Sequence, residues 1–277
     1  MAPQVLIVGA GVTGSMLALL AKDMGLSVRV LEKSLGAGGR MATHSFRRGD
    51  RGSPVLAHAD LGAQYITTRS LEHPFLGPLY QRLTEAGVLV PFRGEVTGAN
   101  PYGSAGEELR HFAARQGMRS IAEYLLQAAE VPVEWGAAVE DLVPSEQGVQ
   151  VRRQGQSEMA EVVVLTQPVP QVLGSSKFGL KGELLKHVSE EVQKKLRQVQ
   201  YSARFAVAYY FDKSKVSWPF GWTCQYFEKG DVRYVAHDTG RRSAEEPFIS
   251  VMVHSGVPFG MKLIDEEDWR SLFKKIP

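Results

Sequence analysis

Apolar residues come first as a block and then at helical intervals. Val5-Leu-Ile-Val8 is a short continuous apolar run, the pattern of a buried parallel strand. After Gly9-Ala-Gly-Val-Thr-Gly14, apolar positions recur at Met16, Leu17, Leu20, Ala21 and Met24. That spacing predicts a helix, closed by Gly25. Val28-Arg-Val-Leu31 reads as a second strand, ending on Glu32. Residues 41–59 are polar and irregular, and Asp60-Leu-Gly-Ala-Gln-Tyr65 is a turn running into a strand. Phe75, Leu76, Leu79, Leu83 and Ala86 predict a helix over 74–86. The Gly-, Pro- and Asn-rich stretch 91–106 predicts a long connection or a hairpin. Ser120-Ile-Ala-Glu123 is a candidate capping box for a helix carrying Ile121, Leu125 and Ala128. Strands are expected at 131–134, 139–143, 149–152 and 162–166, with a turn at Glu146-Gln-Gly148. Leu184, Leu185, Val188, Val192, Leu196 and Val199 mark one long amphipathic helix. From Ala203 the period changes to two. Strands at 204–211, 222–227, 232–237 and 248–254 predict a mostly antiparallel, aromatic-rich sheet, and a last helix is expected over 265–276.

The opening βαβ pattern carries the clearest chemistry. Gly9, Gly11 and Gly14 form Gly-x-Gly-x-x-Gly at the strand-to-helix junction. In such a unit the first glycine permits the tight turn, the second lets the backbone approach a pyrophosphate, and the third lets helix and strand pack closely. The helix N-terminus offers unpaired N–H groups to the phosphates. Glu32 stands where a ribose diol would be bound, and its charge opposes a 2′-phosphate there. A second glycine-rich turn, Lys33-Ser-Leu-Gly-Ala-Gly-Gly39-Arg40, follows the second strand. It offers close backbone approach and a cation for a diphosphate.

Composition narrows the classes. A chain of 277 residues suits one large domain or two ordinary ones, and a net charge of +2 implies neither a nucleic-acid nor a membrane partner. The basic pairs Arg47-Arg48, Lys194-Lys195 and Arg241-Arg242 read as solvated faces. The single cysteine, Cys224, allows no intrachain disulfide and reads as a half-buried strand residue. No apolar run reaches membrane-spanning length. The glycine fingerprint occupies the place of a signal sequence, so a cytoplasmic setting is expected. The seven histidines show no metal-ligand spacing, so no metal is expected. Neither Gly-x-Ser-x-Gly nor a Walker lysine is present, and the sequence does not fix an oligomeric state.

The combination Gly9-x-Gly11-x-x-Gly14, Glu32, Gly38-Gly39-Arg40 and Asp60-Leu-Gly-Ala-Gln-Tyr65 resembles the FAD-binding amine oxidase-like superfamily. Gly39-Arg-Met41 with Asp60-Leu-Gly-Ala-Gln-Tyr-Ile-Thr67 is similar to its renalase family. So are Leu165-Thr-Gln-Pro168-Val-Pro170, Gln200-Tyr-Ser-Ala-Arg204 and His254-Ser-Gly-Val-Pro-Phe-Gly260. The resemblance implies an α/β fold of the p-hydroxybenzoate hydroxylase type. A Rossmann-type FAD-binding domain (1–67 and 107–174) would interleave with a substrate domain (68–106 and 175–277) built on a mostly antiparallel sheet. It places Gly9, Gly11, Thr13, Gly14, Glu32, Gly39, Arg40, Met41, Gly62, Ala63, Gln64, Tyr65 and Val139 on FAD. The implied reaction moves a hydride from 2- or 6-dihydro isomers of NAD(P)H to flavin, then to O2, giving hydrogen peroxide. Alternatives are a flavin amine oxidase of the same superfamily and a non-catalytic binding protein. The resemblance also leaves a secreted setting open.

A hydride transfer needs no protein acid or base, which fits the lack of a triad. His254 reads either as a pocket residue near the flavin, by the family motif, or as a hydrogen-bonded structural histidine in a sheet. Tyr226 reads as a pocket wall or as core. Asp238-Thr239 departs from the family's usual Asp-Asn, so a pocket amide is expected to be lost. The family's second FAD motif, a glycine-acidic turn followed by a last helix, is not found after Phe248, so the chain is expected to end before the FAD site is complete.

Overall fold

The computed structural model describes residues 2–50, 52–98, 109–176, 179–242 and 245–263; the helix expected over 265–276 lies outside them. The chain divides into two compact units, Met1–Met41 with Arg119–Gln200, and Ala42–Met118 with Tyr201–Pro277.

In chain order, β1 (Val5–Val8), α1 (Val12–Asp23) and β2 (Val28–Glu32) open the first unit, and a short 3-10 turn follows at Gly39–Met41. The second unit begins with β3 (Thr43–Phe46), β4 (Ala57–Asp60), β5 (Ile66–Thr68), α2 (Leu76–Glu85), β6 (Leu89–Pro91), β7 (Val96–Gly98) and β8 (Arg110–Ala114). The chain then returns to the first unit with α3 (Arg119–Ala129), β9 (Val133–Trp135), β10 (Asp141–Ser145), β11 (Gly148–Arg153), β12 (Gln156–Ala160), β13 (Val162–Leu165), α4 (Val169–Val172) and α5 (Glu190–Arg197). The second unit closes with β14 (Ala206–Asp212), β15 (Cys224–Tyr226), β16 (Val232–His237), α6 (Asp238–Arg241), β17 (Phe248–Ser255) and α7 (Val257–Leu263).

The first unit is built on a parallel sheet in the order β13-β1-β2-β9. Both faces of β1 need cover, which is why Leu6 and Ile7 are fully buried and the run is continuously apolar. Helix α1 packs against α3, which buries Ile121, Ala122, Leu125, Leu126 and Ala129. The meander β10-β11-β12 adds Leu142, Val151 and Ala160 to a core shared with Leu6, Leu31 and Val139.

The second unit is built on the five-stranded sheet β14-β17-β16-β15-β7, antiparallel except for the β15–β7 pair. Register sets Tyr226 beside Tyr234 and Tyr234 beside His254, so one transverse row crosses β15, β16 and β17. The next row on the same face holds Cys224, Ala236 and Met252, all fully buried. Cys224 is therefore core, not half-buried. A hairpin of β3 and β4 and a small sheet, β5-β8-β6, complete the unit.

Several expectations change. The polar stretch 41–59 contains the β3–β4 hairpin, whose small and polar residues give no periodic signal. Helix α3 starts at Arg119, so Ser120 lies in its first turn and not ahead of it. The long helix expected over 184–199 is a 3-10 turn at Leu184–His187 and then α5. Ser189 breaks it: its backbone is extended (φ −58°, ψ 149°) and its side chain accepts the Val192 N–H. The compact units also change hands at 41/42, 118/119 and 200/201, not at the expected 67/68, 106/107 and 174/175. The hairpin strand β4 packs on β17 and α6, and Leu180 and Leu184 join the core of the parallel-sheet unit.

Candidate functional site

In the first unit a cavity of about 380 Å3 opens at the carboxyl ends of β1 and β2. Gly9, Gly11, Val12, Thr13, Glu32, Gly39, Arg40, Met41 and Val139 all line it. The three fingerprint glycines do different work. Gly9 has a φ of +109°, and a Cβ there would sit 2.6 Å from Thr166 Oγ1. At Gly14 a Cβ would sit 1.9 Å from the Gly9 carbonyl oxygen, so this glycine is required by helix–strand contact alone. Gly11 is held by neither constraint. Its backbone is ordinary (φ −76°, ψ 177°), and an added Cβ would meet only the Gly38 carbonyl oxygen, at 3.9 Å. The space above Gly11 belongs to the cavity.

The rest of the cradle is backbone. Gly11 is the N-cap of α1 and no side chain caps it, so the first amides of a 12-residue helix have no capping side chain, and Val12 and Thr13 beside them line the cavity. The glycine turn is tied to this end: Gly38 N–H donates to the Ala10 carbonyl (2.9 Å), and Gly11 and Gly38 form a bridge. Glu32 is buried, and both its oxygens accept backbone N–H groups, Oε2 from Ala10 and Oε1 from Ser34, each at 2.8 Å. It therefore braces the turn as well as facing the cavity. Gln167 Oε1 is buried in the wall with no hydrogen-bond partner among the described residues. A backbone cradle, an uncapped helix end, a carboxylate and an orphaned acceptor fit the pyrophosphate and ribose of a dinucleotide.

In the second unit a different set of groups meets. Asp60, Asp238, Arg241 and Arg242 are all buried, at 1%, 0%, 0% and 2% exposure. Arg241 Nη2 pairs with Asp60 Oδ2 (3.0 Å) and with Asp238; Arg242 pairs with Asp238. The Arg241-Arg242 pair is thus no solvated face: a buried guanidinium persists only when opposed by carboxylates, and two are present. Arg241 Nη1 donates to Gln64 Oε1 at 2.9 Å. Gln64 Nε2 lies 3.3 Å from His254 Nε2. Tyr226 Oη is 3.0 Å from Tyr65 Oη, and Tyr234 sits between Tyr226 and His254 at ring distances of 4.8 and 5.5 Å. Burial, then the Arg204 and Arg241 charges, push the His254 imidazole down to about 4, so the ring is neutral at pH 7. Burial likewise holds the Tyr234 phenol well above its usual range. Thr239, where the family has an amide, turns inward: its hydroxyl meets Ser250 Oγ at 2.6 Å.

The expected cofactor residues therefore fall in two groups. Gly9, Gly11, Thr13, Glu32, Gly39, Arg40, Met41 and Val139 share the first unit's cavity, with Gly14 behind it. Gly62, Ala63, Gln64 and Tyr65 lie in the second unit with Tyr226 and His254, where Gln64 and Tyr65 contact the two sheet residues. Sequence reasoning missed Gln167, although it stands inside a quoted motif, and missed the buried ions altogether. Asp238 is local to both arginines, but the second carboxylate, Asp60, and the Gln64 amide lie 181 and 177 residues from Arg241, beyond any local signal. Among the described residues no helix is long and apolar enough to cross a membrane, and no group of His, Cys, Asp and Glu is placed to hold a metal ion.

A family model described as an NAD(P)-binding Rossmann-like domain matches residues 7–83. The chain is 30% identical over 273 residues to renalase of Mus musculus, covering 96% of this chain and 75% of that protein. Among solved structures it is similar to one from Exiguobacterium sp. 255-15 named for protoporphyrinogen oxidase. That match has 14% identity and a TM-score of 0.71, over 99% of this chain and 81% of the other. It is also similar to a putrescine oxidase variant, at 14% identity and a TM-score of 0.68, over 98% of this chain and 79% of the other. At such identities the structural likeness concerns the fold alone.

Proposed function

This chain belongs to the renalase family, and from that premise we propose that it is an FAD-dependent oxidase of dihydronicotinamides. Its substrates on this reading are the 2- or 6-dihydro isomers of NAD(P)H, with O2 as the terminal acceptor. The observation that carries the reading is the open space at Gly11, which the fold itself does not need and a pyrophosphate would fill. When bound, FAD would take the hydride and pass the electron pair to O2, giving hydrogen peroxide.

The chain's own residues bind and orient. The α1 amides and Arg40 take the pyrophosphate, Glu32 and Gln167 take hydroxyl donors, and Val139 and Met41 supply apolar wall. Gly62, Ala63, Gln64 and Tyr65 are assigned to the flavin by their motif. Tyr226 and His254 are assigned to the substrate, with His254 neutral, so it positions a ligand without acting as an acid at pH 7.

The test is the visible spectrum of the purified protein with FAD added, followed by anaerobic stopped-flow reduction. Flavin absorbance that bleaches with isomeric NADH and not with primary amines is the expected result. Bleaching by amines alone would make the chain an amine oxidase. A folded protein that takes up no flavin would leave only a binding role.

A further inference from the structure

The two ends of the Gln64 amide have partners of opposite kind. Its oxygen accepts from Arg241 Nη1 at 2.9 Å. Its nitrogen faces two backbone carbonyls, that of Asp60 and that of Gly62, the latter at 2.9 Å. A flipped amide would set oxygen against two carbonyl oxygens and NH2 against a guanidinium, so the assignment follows from charge. The same nitrogen stands 3.3 Å from His254 Nε2. An amide NH2 offers no lone pair to an imidazole N–H, so the arrangement favours the tautomer with a lone pair on Nε2. Three acceptors meet two amide hydrogens. The closer carbonyls take them, which leaves the His254 lone pair receptive to a further donor.

Arg241 has little freedom to change this. Its side chain is fully buried, and it is held by Asp60, Asp238 and the Tyr234 hydroxyl. We propose that Arg241 is a positioning residue: by fixing which end of the Gln64 amide faces His254, it makes His254 Nε2 a hydrogen-bond acceptor for a ligand N–H. Resting on the dihydronicotinamide reading, the matching ligand group is the carboxamide NH2. The groups around the ring are consistent with a neutral imidazole: the cations Arg204 and Arg241 and the Tyr234 phenol, with one backbone hydrogen bond to Leu61 acting the other way.

The experiment is long-range 1H–15N NMR of the His254 ring, assigned by comparison with His254→Asn, in ligand-free protein. Wild type is expected to show an unprotonated Nε2 at pH 7 and no protonation until well below pH 6. Gln64→Glu leaves the buried ions in place and puts an acceptor opposite Nε2, so the ring midpoint should rise by about one pH unit or more. Arg241→Met, which frees the amide to turn, should move the ring the same way; Gln64→Glu keeps the test decisive where Arg241→Met does not fold. A proton on Nε2 of the wild-type ring at pH 7, or an unmoved midpoint in Gln64→Glu, overturns the proposal. Neither readout needs flavin. A protein with the expected ring state that is not reduced by isomeric NADH would sustain this inference and remove the proposed substrate.

Discussion

A methyl group added at Gly11 has room, and one added at Gly14 does not. Gly11→Ala should therefore fold with stability unchanged or raised by less than about 1 kcal/mol, because Gly11 already has an ordinary backbone conformation. It should lose flavin affinity, since the methyl fills the cradle. Gly14→Ala should cost about 1–3 kcal/mol or more through overpacking on the Gly9 carbonyl. Thermal unfolding with and without FAD separates the two, and equal destabilisation would show Gly11 to be structural. Glu32 follows the same logic in reverse. Both its oxygens accept backbone N–H groups, so Glu32→Gln should lose about 1–3 kcal/mol even without ligand. Denaturant titration of the ligand-free protein checks this; an unchanged midpoint would confine Glu32 to ligand binding. At this scale the fingerprint was fully legible, since glycine spacing is local. What was hidden is which glycine serves the fold and which the ligand, because that depends on Thr166 and Gly9 as neighbours in space.

Elements were legible where one face is apolar and the pattern repeats. β1, α1, β2, α2 and the strands β14 to β17 of the second unit's large sheet stand where periodicity puts them, with ends shifted by a few residues, whereas its fifth strand, β7, lies in the stretch 91–106 expected as a connection or a hairpin. The failures have local causes. Six apolar positions from Leu184 to Val199 suggested one helix, yet Ser189 caps a new one, with Glu190 and Glu191 in its first turn and Lys194, Lys195 and Arg197 in its last. That signal was readable and was outweighed by periodicity. Helix α6 was not readable: four residues carry Asp238 and Arg241 into the core as a pair, and the second carboxylate on Arg241, Asp60, comes from β4. Arg242→Met should expose the consequence. It strands part of the Asp238 charge in a buried site and should cost about 3–5 kcal/mol, against near zero for Lys195→Met on the α5 surface. Chemical denaturation of the two variants compares them directly. A loss below about 1 kcal/mol in Arg242→Met would mean the cluster is held by packing.

On the scale of the whole molecule, the two units should answer acid differently. The described histidines whose proton affinity is lowered by burial, His44, His111, His237 and His254, all lie in the second unit. For His237 and His254 burial is the first cause, and each is pushed from 6.5 down to about 4. The unfolded chain then binds more protons than the folded one between those values. Stability from these rings is complete above pH 6.5 and is lost as pH falls toward 4. A gap of that size corresponds to at most roughly 3 kcal/mol for the more deeply buried His254 and to less for His237, where solvent screens part of it, against a domain's net stability of about 5–15 kcal/mol. The first unit has the opposite chemistry. Its Glu134, Glu140 and Glu183 are held below 4.5, chiefly by hydrogen bonds from Arg153, Lys181 and Lys186. Their contribution stays intact above 4.5 and falls away only as pH drops through their lower folded values. Between pH 6.5 and 4.5 the second unit should therefore weaken while the first does not. Thermal scans across that range should split into two transitions, with the lower one moving down in temperature as pH falls. His237→Phe, which keeps a ring against Trp218 and removes the titrating nitrogen, should reduce the movement by up to about half, the limit set by equal contributions from the two deeply shifted rings. A single transition that shifts as one, or a lower transition indifferent to pH above 4.5, would show that these rings are not held neutral by the fold.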